Sequence, residues 1–250
     1  MTDKLYLDDA YLPRCEAVVT AVDHTPQGPA VTLDRTVFYA KSGGQPGDTG
    51  HLTRADGRRW AVGDTVGDAE GRHWHHLAPP TPASGAETPL AVGDAVVGEL
   101  DWPRRYRHMR MHTCLHLLCS LVEAGVTGGS IAAERGRLDF DLPEATLDKD
   151  ALTQALNERI AANYPVAIGW IDEAELDARP ELVRTMAVQP PRGQGRVRMV
   201  EIKGIDYQPC GGTHVATTAE VGRVAVVKIE KKSRHNRRVN LAFVDDPPAS

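Results

Sequence analysis

The sequence predicts an α+β protein in two parts. A small N-terminal β-barrel is expected over residues 1–100, then an α+β domain over residues 101–250 with an antiparallel sheet packed by helices. Three observations carry this. The first hundred residues break into short strand-like runs punctuated by Gly-Asp and Asp-Gly pairs, the pattern of small barrels. Beyond them lie two segments with apolar residues at helical spacing. The chain then returns to strand-like runs, and helices among meandering strands make an α+β domain.

Arg14–Val22 alternates polar and apolar residues, and Val31–Leu33 and Trp60–Val66 read as further strands. Leu77–Pro89 is rich in Pro, Ala, Ser and Thr and reads as a loose hairpin tip before a last strand at Ala95–Leu100. Asp101-Trp102-Pro103 is a helix start, with Asp101 placed to cap and Pro103 in the first turn. That helix is expected to run to Val122–Ala124 and stop at Gly125, burying Leu115, Leu118 and Val122, with His112, His116 and Cys119 on an adjoining face. A second helix is predicted over Asp148–Asn163 from Leu152, Leu156 and Ile160, and Tyr164-Pro165 ends it. Strands follow at Val166–Ile171, Arg196–Ile205, Val221–Glu230 and Arg238–Val244. No internal repeat is evident.

The chain has 250 residues, 41% hydrophobic and 25% charged, which suits one large domain or two modest ones. No apolar run approaches a membrane span, and Met1-Thr2-Asp3-Lys4 is not a signal peptide, so a cytoplasmic location is expected. The four cysteines, Cys15, Cys114, Cys119 and Cys210, form no disulfide framework. Only Cys210 sits in a ligand motif, and the others read as small core residues. The net charge of −5 is unevenly spread. Residues 1–100 carry 8 basic against 14 acidic side chains, the rest 21 against 20. Lys228, Lys231, Lys232, Arg234, Arg237 and Arg238 crowd one segment, and Arg104, Arg105, Arg107 and Arg110 another. Such runs are commonly solvated faces, but local patches govern phosphate contact more than net charge does.

Two pairs carry the chemistry. His112 and His116 lie one turn apart on a helix and project from one face. Cys210 and His214 bracket Gly-Gly-Thr, a loop free to turn around an ion. An isolated HxxxH is more often structural, but the two matched pairs together offer an N₃S set that suits tetrahedral zinc. A zinc peptidase would need Glu after the first His, and that position is Thr113. His108, one turn earlier, is read as packing or contacting phosphate. His73, His75 and His76 alternate across a strand and read as surface or barrel-rim residues. Ser42–Gly50 holds four glycines in nine positions, neither a dinucleotide fingerprint nor a Walker loop. It is a tight hairpin or, with Lys41 and Gln45, a nucleic-acid contact.

Arg110–Leu118 with Cys210–Val215 resembles the editing domain shared by alanyl- and threonyl-tRNA synthetases, and Phe38–Gly50 narrows the likeness to the alanyl branch. Nearly the whole chain resembles the free-standing alanyl-tRNA editing proteins, the AlaX family, in their medium form. Gly129–Ile131 and Arg137–Asp141 match that family's strand pair behind the site. The resemblance implies zinc on His112, His116, Cys210 and His214, the same set that the spacing offers. It implies hydrolysis of the ester joining serine, with glycine also open, to the 3′ end of tRNA(Ala), while Ala-tRNA(Ala) is spared. An alanine pocket rejects an added hydroxyl only about 10²-fold, so a second site that bonds the hydroxyl is needed. Thr127 lies where the family has a polar Gln or Thr and is the expected serine sensor, with Gly211 and Gly212 in the substrate site. Arg104, Arg107, Lys228, Lys231, Arg234, Arg237 and Arg238 are expected on tRNA phosphates, with Gly43 and Gly44 also contacting tRNA. The family usually has Gly before the paired arginines, where this chain has Asn236.

The reacting water is either activated by zinc or positioned by substrate hydroxyls. A full four-residue ligand set is the mark of a closed structural site, which favours positioning. No residue in the motifs stands out as general base. A non-catalytic, zinc-stabilised tRNA-binding module and a Ser-tRNA(Thr) deacylase remain as alternatives, the second opposed by the glycine-rich stretch. The expected oligomeric state is a monomer.

Overall fold

The computed structural model describes residues 2–26, 28–79, 89–143, 147–186, 193 and 195–244. The chain divides into one unit of Met1–Ser42 and Pro46–Tyr106, and a second of Gly43–Gln45 and Arg107–Ser250. Residues 43–45, from the glycine-rich stretch, thus belong with the second unit.

The first unit holds β1 (Asp3–Lys4), β2 (Arg14–Thr25), β3 (Gly28–Leu33), β4 (Arg35–Thr36), β5 (Gly50–Arg54), β6 (Arg59–Gly67), β7 (His73–Leu77) and β8 (Ala95–Leu100). Six of them close into a barrel in the order β2-β3-β7-β6-β5-β8, and β1 pairs with β4 in parallel. Closure leaves the barrel no unpaired edge. Strand alternation sends Ala17, Val19, Trp60, Val62, Val96 and Leu100 into a core shared with Leu33, Phe38 and Leu52. The expected hairpin tip at Leu77–Pro89 lies mostly outside the described residues.

The same alternation corrects the reading of the histidines. In β7, His73, His75 and Leu77 point inward, so His73 and His75 are core residues rather than rim or surface ones. His75 is satisfied there by Val31 O at 3.1 Å and Thr36 Oγ1 at 2.8 Å, and His73 Nε2 by the Tyr6 hydroxyl at 2.9 Å. Burial pushes the pKa of both down to about 4, and each is neutral near pH 7. Arg105 is also fully buried, with Nε 2.9 Å from Asp48 Oδ2 and Nη2 2.6 Å from Val37 O. It is therefore no phosphate contact.

The second unit holds most of α1 (Trp102–Leu121), then β9 (Val126–Ile131), β10 (Arg135–Asp141), α2 (Lys149–Ala161), β11 (Val166–Asp172), α3 (Glu173–Ala178), β12 (Arg196–Ile202), β13 (Asp206–Pro209), β14 (Val224–Lys231) and β15 (Asn236–Phe243). Asp101 caps α1 by accepting the Arg104 N–H, and Asp148 caps α2 by accepting from Asp150 and Ala151. Two antiparallel sheets form, β14-β15-β10-β9 and β11-β12-β13. Leu152, Leu156 and Ile160 are the buried stripe of α2, and Asn157 exchanges two hydrogen bonds with the backbone of Val224.

Three departures from expectation have local reasons. The run Arg196–Ile205 is two strands because Gly204, at φ +73°, turns the chain between β12 and β13. The strand expected from Val221 begins at Val224, after a single turn over Thr218–Val221 and Gly222 at φ +72°. α3 has only six residues, too few for a helical period to register in sequence.

Candidate metal centre

α1 presents His112 and His116 on one face, and the turn after β13 presents Cys210 and His214. Their four ligand atoms all lie within 4.8 Å of one another, the only such group among the described residues. Cys210 Sγ is 3.5 Å from His112 Nε2 and 3.3 Å from His214 Nε2. Tetrahedral zinc with N and S ligands sets its donors about 3.3–3.7 Å apart, and both of these Cys210 separations fall in that range. His116 and His214 are buried, and Cys210 is half-buried.

Each imidazole is held by its other nitrogen. His116 Nδ1 donates to Asp206 Oδ2 at 2.8 Å, and the Gln208 amide donates to the same oxygen at 2.8 Å. His214 Nδ1 lies 3.1 Å from the Thr113 hydroxyl, which also accepts the Val215 N–H at 3.3 Å. His112 Nδ1 lies 2.9 Å from Gln45 Oε1. All three Nε2 atoms therefore face the centre, the orientation that outer partners impose on metal-binding histidines.

The ligand loop is fixed by its backbone. Arg198, buried on β12, donates through Nη1 to the carbonyls of Cys210 at 2.8 Å and Gly212 at 2.9 Å. The Gly212 N–H points at Cys210 Sγ at 3.4 Å. Burial alone would raise the Cys210 thiol, but the charges of His112 and His214 and hydrogen bonds from His112 and His116 bring it well below the ordinary thiol range. Burial, with the His112 field, holds His214 well below the ordinary histidine range. For His116 burial is outweighed by Asp206 and Cys210, and its pKa rises to about 10. The negative field that retains this proton is one that favours a bound cation. A thiolate and three oriented imidazoles form a donor set that fits zinc.

The other expected site residues are dispersed. The Thr127 hydroxyl donates to Asp139 O at 3.1 Å and accepts from Asn236 Nδ2 at 2.9 Å. Gly212 is buried beside His112, whereas Gly211 is exposed. Gly43 and Gly44 take φ of +54° and +83°, and Gly44 O accepts the Ile131 N–H at 2.9 Å. Arg104 donates to Gly47 O at 2.8 Å, and Arg107 meets Glu134 at 3.4 Å. Lys228 and Lys232 flank Glu230 at 3.1 and 3.2 Å, and Arg238 grips Asp139 with two bonds. Arg237 Nη2 donates to Pro143 O at 2.8 Å. Lys228, Lys231, Lys232 and Arg234 are exposed on or next to the β14–β15 hairpin.

Sequence reasoning missed Asp206, Gln208 and Arg198, and took Thr113 only as the absent peptidase Glu. No spacing rule reaches a partner 90 residues from His116, as Asp206 is. Of the two roles open to the Ser42–Gly50 stretch, nucleic-acid contact does not extend to Gln45, which is buried and bonded within the second unit. The buried His108 packs, as one of its two expected roles required.

Two family models match. Residues 11–104 match the class II (A) tRNA synthetases, and residues 197–240 the second additional domain of threonyl and alanyl tRNA synthetases. The second match contains Cys210 and His214, while His112 and His116 lie outside both. Full-length relatives cover the helix pair too. The chain is 38% identical to alanyl-tRNA editing protein AlaX-M of Methanosarcina mazei over 98% of each chain. It is 34% identical to AlaX-M of Saccharolobus solfataricus over 96% of this chain and 98% of that one. It also matches an alanine–tRNA ligase of Sulfurisphaera tokodaii at 34% identity, over 92% of this chain but 25% of the ligase. With its barrel, its antiparallel sheets and this four-donor cluster, the chain belongs to the AlaX family of alanyl-tRNA editing proteins, in the medium form.

Proposed function

We propose that the protein is an aminoacyl-tRNA deacylase that edits in trans, hydrolysing Ser-tRNA(Ala) while leaving Ala-tRNA(Ala) intact. The observation that carries the reading is the oriented N₃S cluster in a chain that matches alanyl-tRNA editing proteins end to end. The ion is taken to be zinc, and when bound it supplies a fixed positive charge for the aminoacyl end of the substrate. His112, His116, Cys210 and His214 hold it, and Asp206 and Thr113 keep two of the imidazoles aimed. Water attacks the ester carbonyl, the acyl C–O bond breaks, and the products are free serine and a tRNA ending in a ribose hydroxyl.

Thr127 is the proposed reader of the serine hydroxyl. Its own proton goes to Asp139 O and one lone pair to Asn236, so the remaining lone pair suits a donor such as serine and offers alanine nothing. Gly211 and Gly212 line the substrate side of the ligand loop in this reading. Arg104, Arg107, Lys228, Lys231, Arg234, Arg237, Arg238, Gly43 and Gly44 serve the acceptor stem; the exposed lysines and Arg234 are the best suited to phosphate. The partner is tRNA(Ala) charged with serine, met by a monomer in the cytoplasm. No helix among the described residues is long and apolar enough to cross a membrane.

The test is release of labelled serine from Ser-tRNA(Ala), with Ala-tRNA(Ala) in parallel, by wild type and Cys210→Ala. Serine-selective release that the variant loses is expected. Tight tRNA binding without release from metal-replete protein would replace the enzyme with a binding module. Faster release from Ser-tRNA(Thr) would reassign the substrate.

A further inference from the structure

We propose that Gln45 is a positioning residue of the metal centre, delivered there by the glycine-rich stretch. It fixes the tautomer of His112 and ties that ligand to the Cys210–His214 loop. The inference rests on the metal reading above and adds a role that the motif's glycines alone do not suggest.

Gln45 is 1% exposed, and its amide makes three contacts. Oε1 lies 2.9 Å from His112 Nδ1 and accepts the Thr213 backbone N–H at 3.3 Å, while Nε2 donates to Thr213 Oγ1 at 2.9 Å. The backbone N–H can only donate, so the amide atom facing Thr213 N and His112 must be the oxygen. His112 then carries its proton on Nδ1 and presents the Nε2 lone pair to Cys210 and His214. One side chain thus joins a helix ligand to the loop that supplies the other two partners.

The glycines make this reach feasible. Gly44 has φ +83°, and a β-carbon on it would lie 2.8 Å from Gly129 O. Only glycine allows the strand-like approach to β9 that the Gly44 O to Ile131 N bond records. On the other side, a β-carbon on Gly212 would lie 3.0 Å from Gln45 Oε1. Both glycine pairs therefore leave room for one buried amide. The acceptors differ in charge, with a carboxylate on His116 and a neutral amide on His112, so a carboxylate can replace Gln45 without losing its acceptor.

The experiment measures zinc affinity by chelator competition, and the cobalt(II) absorption spectrum, for wild type, Gln45→Met and Gln45→Glu. Gln45→Met should bind about 10–100-fold more weakly with a broadened cobalt spectrum, as loss of an outer-shell partner does. Gln45→Glu keeps the acceptor and should stay within a few-fold of wild type. Wild-type affinity in Gln45→Met, or equal weakening in both variants alongside a lower apo-protein Tm, would reduce Gln45 to a structural role. Long-range proton–nitrogen NMR of zinc-loaded wild type reads the His112 tautomer without any variant, and a proton on Nε2 or none on Nδ1 would overturn the proposal. If wild type binds zinc no better than Cys210→Ala, the metal reading itself fails, an outcome distinct from failure in the Gln45 variants alone.

Discussion

Gly212 lies close against the imidazole of His112: a β-carbon at residue 212 would sit 2.2 Å from Cε1 and 2.4 Å from Nδ1. No real side chain tolerates that approach, so the ring must swing away or the loop must lift. Gly212→Ala should therefore lower zinc affinity by at least about 10-fold, comparable to losing an outer-shell partner. The β-barrel unit should keep its unfolding transition. Unaltered affinity would mean that His112 is not held where a ligand needs it.

Metal should also stabilise the fold, since a ligand that binds only the native state shifts unfolding by mass action. At a thousandfold excess over Kd the gain is about 4 kcal/mol. Chelation should lower the Tm of wild type and leave Cys210→Ala unmoved. Asp206→Asn, which weakens the partner that His116 and Gln208 share, should fall between the two. A chelator-insensitive wild type would remove the metal from the structure's stability.

Thr127→Val should abolish discrimination between Ser-tRNA(Ala) and Ala-tRNA(Ala) while the protein still binds one metal ion. Thr127→Ser, which keeps the hydroxyl between Asp139 O and Asn236, should retain the preference. Discrimination that survives in the valine variant would place the sensor elsewhere.

Arg105→Met should destabilise the barrel unit by about 3–5 kcal/mol, because Asp48 would remain as an uncompensated buried charge. Adding Asp48→Asn should recover part of that loss in urea unfolding. A single variant as stable as wild type would show that the pair is dispensable.

Acid should weaken the barrel in a defined window. His73 and His75 are neutral in the fold down to about pH 4, against an ordinary value of 6.5. Above pH 6.5 folded and unfolded chains are both unprotonated there, and stability is at its full value. As pH falls below 6.5 the unfolded chain takes up protons that the folded barrel refuses, so stability declines until about pH 4 and then levels off. The loss at pH 5 is about 2 kcal/mol per histidine at most. Urea unfolding at pH 7 and pH 5 measures it, and His75→Gln should flatten the slope. Equal stability at both values would contradict the burial of these rings.

The regular elements were legible because they rest on local periodicity. Leu152, Leu156 and Ile160 mark α2, Asp101 and Asp148 mark helix starts, and the alternation in Arg14–Val22 marks β2. Elements without a readable period were missed, such as α3 and the break at Gly204. The charge runs misled for a related reason. Sequence counts an arginine as a surface charge, yet Arg105 is buried on Asp48.

The sequence by itself determined the α+β fold class with its β-barrel and the residue types at the four donor positions, because turn chemistry, strand alternation and i, i+4 spacing act over a few residues. Tertiary structure alone decided what aims those donors. Gln45 reaches His112 across 67 positions, Asp206 reaches His116 across 90, and Thr113 reaches His214 across 101. Hydrogen bonds between such partners depend on how strands and helices pack, and no short-range pattern encodes that. The same physics placed His73 and His75 inside the barrel, where the parity of β7, rather than their polarity, chose the face.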